Sequence, residues 1–209
     1  MLNDYLDTNF SSLELKVPLF YNWPVGIRFE LGDPEEDDDK MYMNRVYSRA
    51  ISLMKSLHSN HDELLVLVNA HYAGVPLRRR VPRVFNHYIK SKAVLSKLQS
   101  QTIPYVYAEE FDVFEENLTT NRFYLECTLN DIKFVNLLKA IGNHYLGIKP
   151  NTFHDVFFIN QTNDTIFHIY DSRGCDVIAK NKEALLHIYE TYNDWILDYD
   201  RDKIDSVFR

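Results

Sequence analysis

Apolar side chains recur along the chain in two rhythms. Met43, Val46, Tyr47, Ala50, Leu53, Met54 and Leu57 follow i, i+3, i+4, i+7 spacing, which predicts an amphipathic helix. Leu185, Ile188, Tyr189, Tyr192, Trp195 and Ile196 predict a second helix, capped by Asn181. Phe134, Val135, Leu138 and Ile141 predict a third, with Asn130 as its N-cap and Gly142 or Gly147 as its stop. Alternation with period two marks Val25–Leu31 and Arg122–Thr128 as half-buried strands. Glu63–Asn69 is a continuous apolar run of strand length, which fits a central strand covered on both faces. Asp155–Asn160 and Thr165–Tyr170 flank the turn-rich Gln161–Asp164 and predict a hairpin. Asp171-Ser-Arg-Gly174 predicts a second turn, leading into Cys175–Ala179 as the third strand of a meander.

The intervening segments are less regular. A short helix is expected before Pro18, and Pro24 drives Trp23 into extended geometry. Residues His71–Arg83, with Gly74, Pro76 and Pro82, read as a loop, and Phe85–Ile89 as ambiguous. Ser91 is placed to cap a helix through Gln99 that Pro104 ends. Tyr105–Phe114 reads as one or two strands, pairing with Arg122–Thr128 across the residues between them. The tail after Asp198 is expected to be helical near its end. The predicted order is β-α-β-α-β-β-α-β-β-β-α. The fold class is α+β, a mostly antiparallel sheet flanked by helices, with a C-terminal three-stranded meander followed by a helix. A single domain over 1–209 is the primary reading, and two subdomains of about 1–120 and 121–209 the alternative.

Composition narrows the class. The 209 residues are 45% hydrophobic and 25% charged, which excludes a wholly disordered or collagen-like chain. A chain this long buries roughly 70% of its unfolded surface and needs no metal or disulfide staple. Aromatics are plentiful, with 14 Tyr, 13 Phe and 2 Trp, and each Tyr hydroxyl needs a partner when buried. Cys127 and Cys175 lack C-x-x-C spacing and are expected to be reduced, partly buried thiols. No apolar run nears the roughly 18 residues of a membrane span, and the acidic start lacks the basic region of a secretory leader. A cytoplasmic location with no membrane association is therefore expected. With 23 Lys+Arg against 30 Asp+Glu the net charge is −7, which makes nucleic acid an unfavoured partner and a basic protein a favoured one.

Motifs that specify a reaction are missing. There is no G-x-S-x-G, no P-loop and no G-x-G-x-x-G, and none of the eight histidines forms His-Glu-x-x-His, so no cofactor or metal is expected and enzymatic activity is disfavoured. His154-Asp155 and His168 could meet across the hairpin as a general-base cluster. The pairs Glu109-Glu110 and Glu115-Glu116 would point to opposite faces of a strand and make no shared acid/base site. The acidic run Glu35, Glu36, Asp37, Asp38 and Asp39 precedes the helix containing Met43. There it complements the positive end of the helix dipole, and it is also placed to dock a partner. It lacks the spacing of a calcium loop. Arg78, Arg79, Arg80 and Arg83 form a basic loop, read as a solvated face or a partner for the acidic run, with RNA contact as the alternative.

The stretch Phe167-His-Ile-Tyr-Asp-Ser-Arg-Gly-Cys-Asp-Val-Ile-Ala179, followed by Tyr192-Asn-Asp-Trp-Ile-Leu-Asp-Tyr-Asp-Arg201, resembles an uncharacterised bacterial domain family found mainly in Bacillus and other Firmicutes. Its core reads Tyr-Asp-Asp-Arg-Gly and then Asp; here Ser172 replaces the second Asp. Asn22–Glu30 is similar to the opening of that family. The resemblance implies no established activity. By analogy with other small acidic Firmicutes proteins it implies neutralisation of a partner such as a toxin. Within the signature, Asp171 is suited to fix the turn through backbone N–H groups, and Gly174 to adopt φ > 0. Arg173 is expected to pair with Asp176, Asp198 or Asp200 and lock the terminal helix to the meander.

The leading expectation is a protein-binding module of immunity or inhibitor type, docking through Glu35–Asp39, Asp198 and Asp200. Tyr170, Asp171, Arg173, Gly174, Asp176 and Arg201 form a signature turn that is structural or holds a ligand. The alternative is an enzyme acting on a phosphate-bearing substrate, with Arg173, Asp171 and His168 in one cleft.

Overall fold

A computed structural model describes residues 2–73, 81–109 and 118–209. The chain begins with α1 (Leu2–Asn9), crosses a strap over Phe10–Trp23, and enters β1 (Gly26–Glu30). Then follow α2 (Asp39–Leu57), β2 (Leu64–Ala73), α3 (Arg83–Tyr88), α4 (Lys92–Leu95), β3 (Gln99–Pro104) and β4 (Leu118–Cys127). The last part holds α5 (Phe134–Gly142), β5 (Asp155–Asn160), β6 (Thr165–Asp171), β7 (Gly174–Ala179), α6 (Leu186–Thr191) and α7 (Arg201–Phe208). Among the described residues seven strands form one sheet in the order β1-β7-β6-β5-β2-β4-β3, and every neighbouring pair is antiparallel. The α+β class, the antiparallel sheet and the C-terminal meander followed by a helix are as expected.

Alternation along β2 explains its continuous apolar run. Leu64, Val66 and Val68 join a core that also contains Val46, Leu53, Leu138 and Ile141 from α2 and α5. Leu65 and Leu67 face the other way, into a core with Leu2, Leu6, Phe10, Leu15 and Leu19. One face of the sheet is thus covered by long helices and the other by α1 and the strap. The edges differ. The outer edge of β1 is closed by the chain at Ile196–Leu197, through a bridge at Phe29 and the Leu197 N–H donating to the Arg28 carbonyl at 3.0 Å. The outer edge strand β3 carries Gln99, Ser100, Gln101 and Thr102 and ends on Pro104, a composition that blunts edge-to-edge pairing.

Several local expectations change. β2 runs on to Ala73, into the predicted loop, because β4 extends beside it to Leu118. Arg83 starts α3 rather than ending a loop. The helix after Ser91 stops at Leu95, although Ser91 caps it as predicted, and Gln99–Pro104 becomes the strand that partners β4. Tyr105 is irregular and Val106–Glu109 is turn; Glu110–Phe114, Glu115, Glu116 and Arg78–Arg80 lie outside the described residues. Asn130 is not the cap of α5; Thr128 and Asp131 form a capping box one turn earlier. The terminal amphipathic stripe breaks into short 3₁₀ turns flanking α6, with Asn181 capping the first of them.

Candidate functional site

The two segments Asn22–Glu30 and Phe167–Ala179 meet in the β1–β7 ladder. Arg28 stands directly opposite Asp176, and Asp176 directly opposite His168 on β6. The Arg28 guanidinium pairs bidentately with Asp176, Nε to Oδ1 at 2.8 Å and the terminal nitrogen to Oδ2 at 3.0 Å. Asp200 lies 3.8 Å away, and the rings of Tyr21 and Tyr170 pack at 4.6 and 5.2 Å from the guanidinium carbon. Asp176 has no solvent exposure and also accepts the Phe20 N–H at 3.0 Å, which ties the strap to the sheet. Burial by itself would lower the pKa of Arg28; the hydrogen bonds and charge of Asp176 outweigh it and hold the guanidinium above its ordinary value.

This corrects the role expected of Arg173. Its side chain is 64% exposed, and it pairs with Asp171 in its own turn rather than with Asp176, Asp198 or Asp200. Asp171 accepts both the Arg173 backbone N–H at 2.7 Å and its guanidinium at 2.6 Å, so the turn is fixed locally. Arg173 also packs over Tyr145 at 5.2 Å. The clamp on Asp176 and Asp200 is Arg28 instead. Gly174 is needed for a different reason than a positive φ, which it does not have. A Cβ there would lie 2.1 Å from the Tyr170 hydroxyl and 2.5 Å from the Phe29 carbonyl oxygen. Ser172 is fully buried and accepts the Tyr42 hydroxyl at 3.4 Å.

Above this clamp opens a cleft of about 850 Å³. One wall is aromatic and cationic, with Arg28, Tyr145, Tyr170 and Arg173. The cleft is also lined by Glu30 at the end of β1, Glu36 in the lead into α2, and Asp39 and Tyr42 in its first turn. Asp38 caps that helix by accepting the Met41 N–H at 2.8 Å, so it serves structure. Glu35, Glu36, Asp37 and Asp39 have no cation among the ion pairs of the described residues; the two arginines of α2, Arg45 and Arg49, are paired with Asp33 and Glu30 instead. The proposed partnership of the acidic run with the Arg78–Arg80 loop lies outside the described residues, and Arg83 is exposed and pairs with no carboxylate among the described residues.

The other predicted residues scatter. Asp198 is exposed and binds Arg201, whose guanidinium also donates to the Asn193 and Ile196 carbonyls and pins the turn after α6. Asp200, expected on the docking surface, is buried: it accepts the Tyr21 hydroxyl at 2.9 Å and faces Arg28. His168 is buried beneath the strap, with Nδ1 2.8 Å from the Val156 carbonyl, and is not among the residues lining the cleft. Asp155 accepts Tyr107 at 2.8 Å and pairs with His71 at 3.0 Å, a histidine that sequence spacing did not connect to it. His154 is largely buried, which pushes its imidazole down to about 4. Burial acts on the thiols in the opposite direction, pushing Cys127 up to about 12 and Cys175 well above its ordinary value. Among the described residues no group of three or more His, Cys, Asp or Glu is placed to hold a metal, and no helix is long and apolar enough to cross a membrane.

Comparison with known proteins gives a family without an assigned activity. Residues 2–200 match the model of a domain of unknown function, DUF3885. An uncharacterized Bacillus subtilis protein, YnaE, is 33% identical over 215 aligned residues, covering 93% of this chain and 96% of the relative. No solved structure matches. With nearly the whole chain covered by the family model, the protein belongs to the DUF3885 family.

Proposed function

We propose that this chain is a cytosolic protein-binding module that takes a basic segment of a partner protein into the cleft between the signature turn and the start of α2, in the manner of an immunity or inhibitor protein. The carrying observation is where exposed apolar surface meets unpaired negative charge. Tyr145, 59% exposed, and Leu146, 38% exposed, line the cleft together with Glu36 and Asp39. Exposed aromatics grouped around a concave site are the usual anchors of a protein interface, with charge at the rim setting approach and register. Glu36 and Asp39 on the rim, in a chain of net charge −7, favour a basic partner.

The test begins with capture of a stoichiometric partner from the native host, followed by association kinetics on the purified pair. Glu36→Lys with Asp39→Lys should slow association roughly tenfold and flatten its dependence on salt. Tyr145→Ala should leave the association rate near wild type and accelerate dissociation. Failure to recover any stoichiometric partner, or rates unchanged in both variants, rejects the reading.

A further inference from the structure

A second cleft, of about 420 Å³, lies on the strap side of the sheet. Its walls are Leu13 and Leu15 of the strap and Ile103, Tyr105 and Val106 at the end of β3. Arg122 of β4 reaches into it. Register places Arg122 opposite Asn69 of β2, and its Nε donates to the Asn69 Oδ1 at 3.1 Å. Asn69 is itself fully buried and held by the Leu15 carbonyl at 2.8 Å, so this amide fixes the guanidinium on one side only. The terminal nitrogens make no hydrogen bond among the described residues.

The charge balance around Arg122 sets it apart. Arg28, Arg45, Arg49, Arg173, Arg201 and Arg209 each have a carboxylate within 4 Å. Arg83, which has none among the described residues, is exposed. Arg122 is largely shielded from water, its hydrogen-bond partner among the described residues is a neutral amide, and burial pushes its pKa down to about 10. Glu14, Lys16 and Glu109 also line the cleft: Glu14 is bound to Lys16 at 2.8 Å, Glu109 is exposed, and neither carboxylate pairs with Arg122. A shielded guanidinium with apolar walls is unfavourable as it stands and becomes favourable when an anion completes it.

We propose that this cleft is a binding site for a small monocarboxylate with an apolar body, its carboxylate on the terminal nitrogens of Arg122 and its aliphatic or aromatic portion against Leu13, Ile103 and Val106. The planar fork suits a carboxylate bidentately once Nε is engaged by Asn69. The volume falls at the small end of the range for ligand pockets. This site is separate from the cleft above Arg28 and does not depend on the protein-binding reading.

The test is titration of the full chain with hexanoate and phenylacetate, followed by protein NMR shifts and by thermal midpoint, against 2-phenylethanol and ionic-strength-matched chloride. Saturable binding of both acids is expected, at least tenfold tighter than the alcohol. Arg122→Met should abolish the preference for the acids while its thermal midpoint stays at or above that of wild type, because an apolar chain of similar volume relieves the uncompensated charge. Arg122→Gln, which keeps a donor near Asn69, should also lose the preference. No saturation by either acid, equal affinity for acid and alcohol, or acid binding unchanged in the folded variants overturns the proposal.

Discussion

Arginines of one chemical type serve opposite ends here, and their surroundings decide which. Arg28 neutralises two buried carboxylates; removing it leaves Asp176 and Asp200 without their cation. Arg28→Met should therefore cost about 3–5 kcal/mol, read as a fall in the urea midpoint. Arg173→Ala removes an exposed pair and should cost less than about 1 kcal/mol. A comparable loss in both variants would show that the clamp is misassigned. Gly174 makes a second residue-scale case. Adding one methyl group forces the Tyr170 ring and the β1 backbone apart, so Gly174→Ala should destabilise by about 1–3 kcal/mol although its φ is ordinary. The sequence marks Gly174 as special, but its reason, the ring folded over it, lies in a contact across strands.

At the scale of elements, the strap is the part whose role was least legible. It has little periodicity of its own, and hydrogen bonds to the sheet add to the burial of Phe10, Leu15 and Leu19 against it. Phe20 N–H is bound by Asp176, the Leu15 carbonyl by Asn69, and the Trp23 indole N–H by the Ala179 carbonyl at 2.7 Å. Trp23→Phe keeps most of the ring and loses that last bond, so it should cost about 1 kcal/mol and accelerate amide exchange along the strap more than in β2. Equal acceleration in both would indicate global rather than local opening. Long elements were readable because their signal is repeated: α2 shows seven apolar positions at helical spacing, and the β5–β6–β7 meander carries two turn sequences. The short α4 and the β3 strand were misassigned because Gln99–Pro104 is polar edge, where no core burial imposes alternation.

At the scale of the whole molecule, buried His58 and partly buried His154 make stability depend on pH. Burial pushes His58 down to about 4, although the Met54 carbonyl and the Asp62 carboxylate oppose it, and His154 falls to about 4 as well. Each group's folded pKa lies below its unfolded value near 6.5, so the unfolded chain binds more protons between those values. Stability should be unaffected by these groups above about pH 7 and fall as pH drops from about 6.5 to 4, by roughly 3 kcal/mol for His58 alone. His58→Gln should flatten that fall in urea melts recorded across the range; an unchanged slope would remove His58 from the account. The α+β class, the antiparallel meander, the doubly covered central strand and the acidic lead into α2 could all be read from the order of residues, because periodicity and turn chemistry act over a few neighbours. Which arginine met which aspartate, which carboxylates stayed in water, and which side chains shared a cleft depended on register between strands far apart in the chain. Pairing energies of that kind arise only when the sheet closes, so no local pattern could have distinguished Arg28 from Arg173.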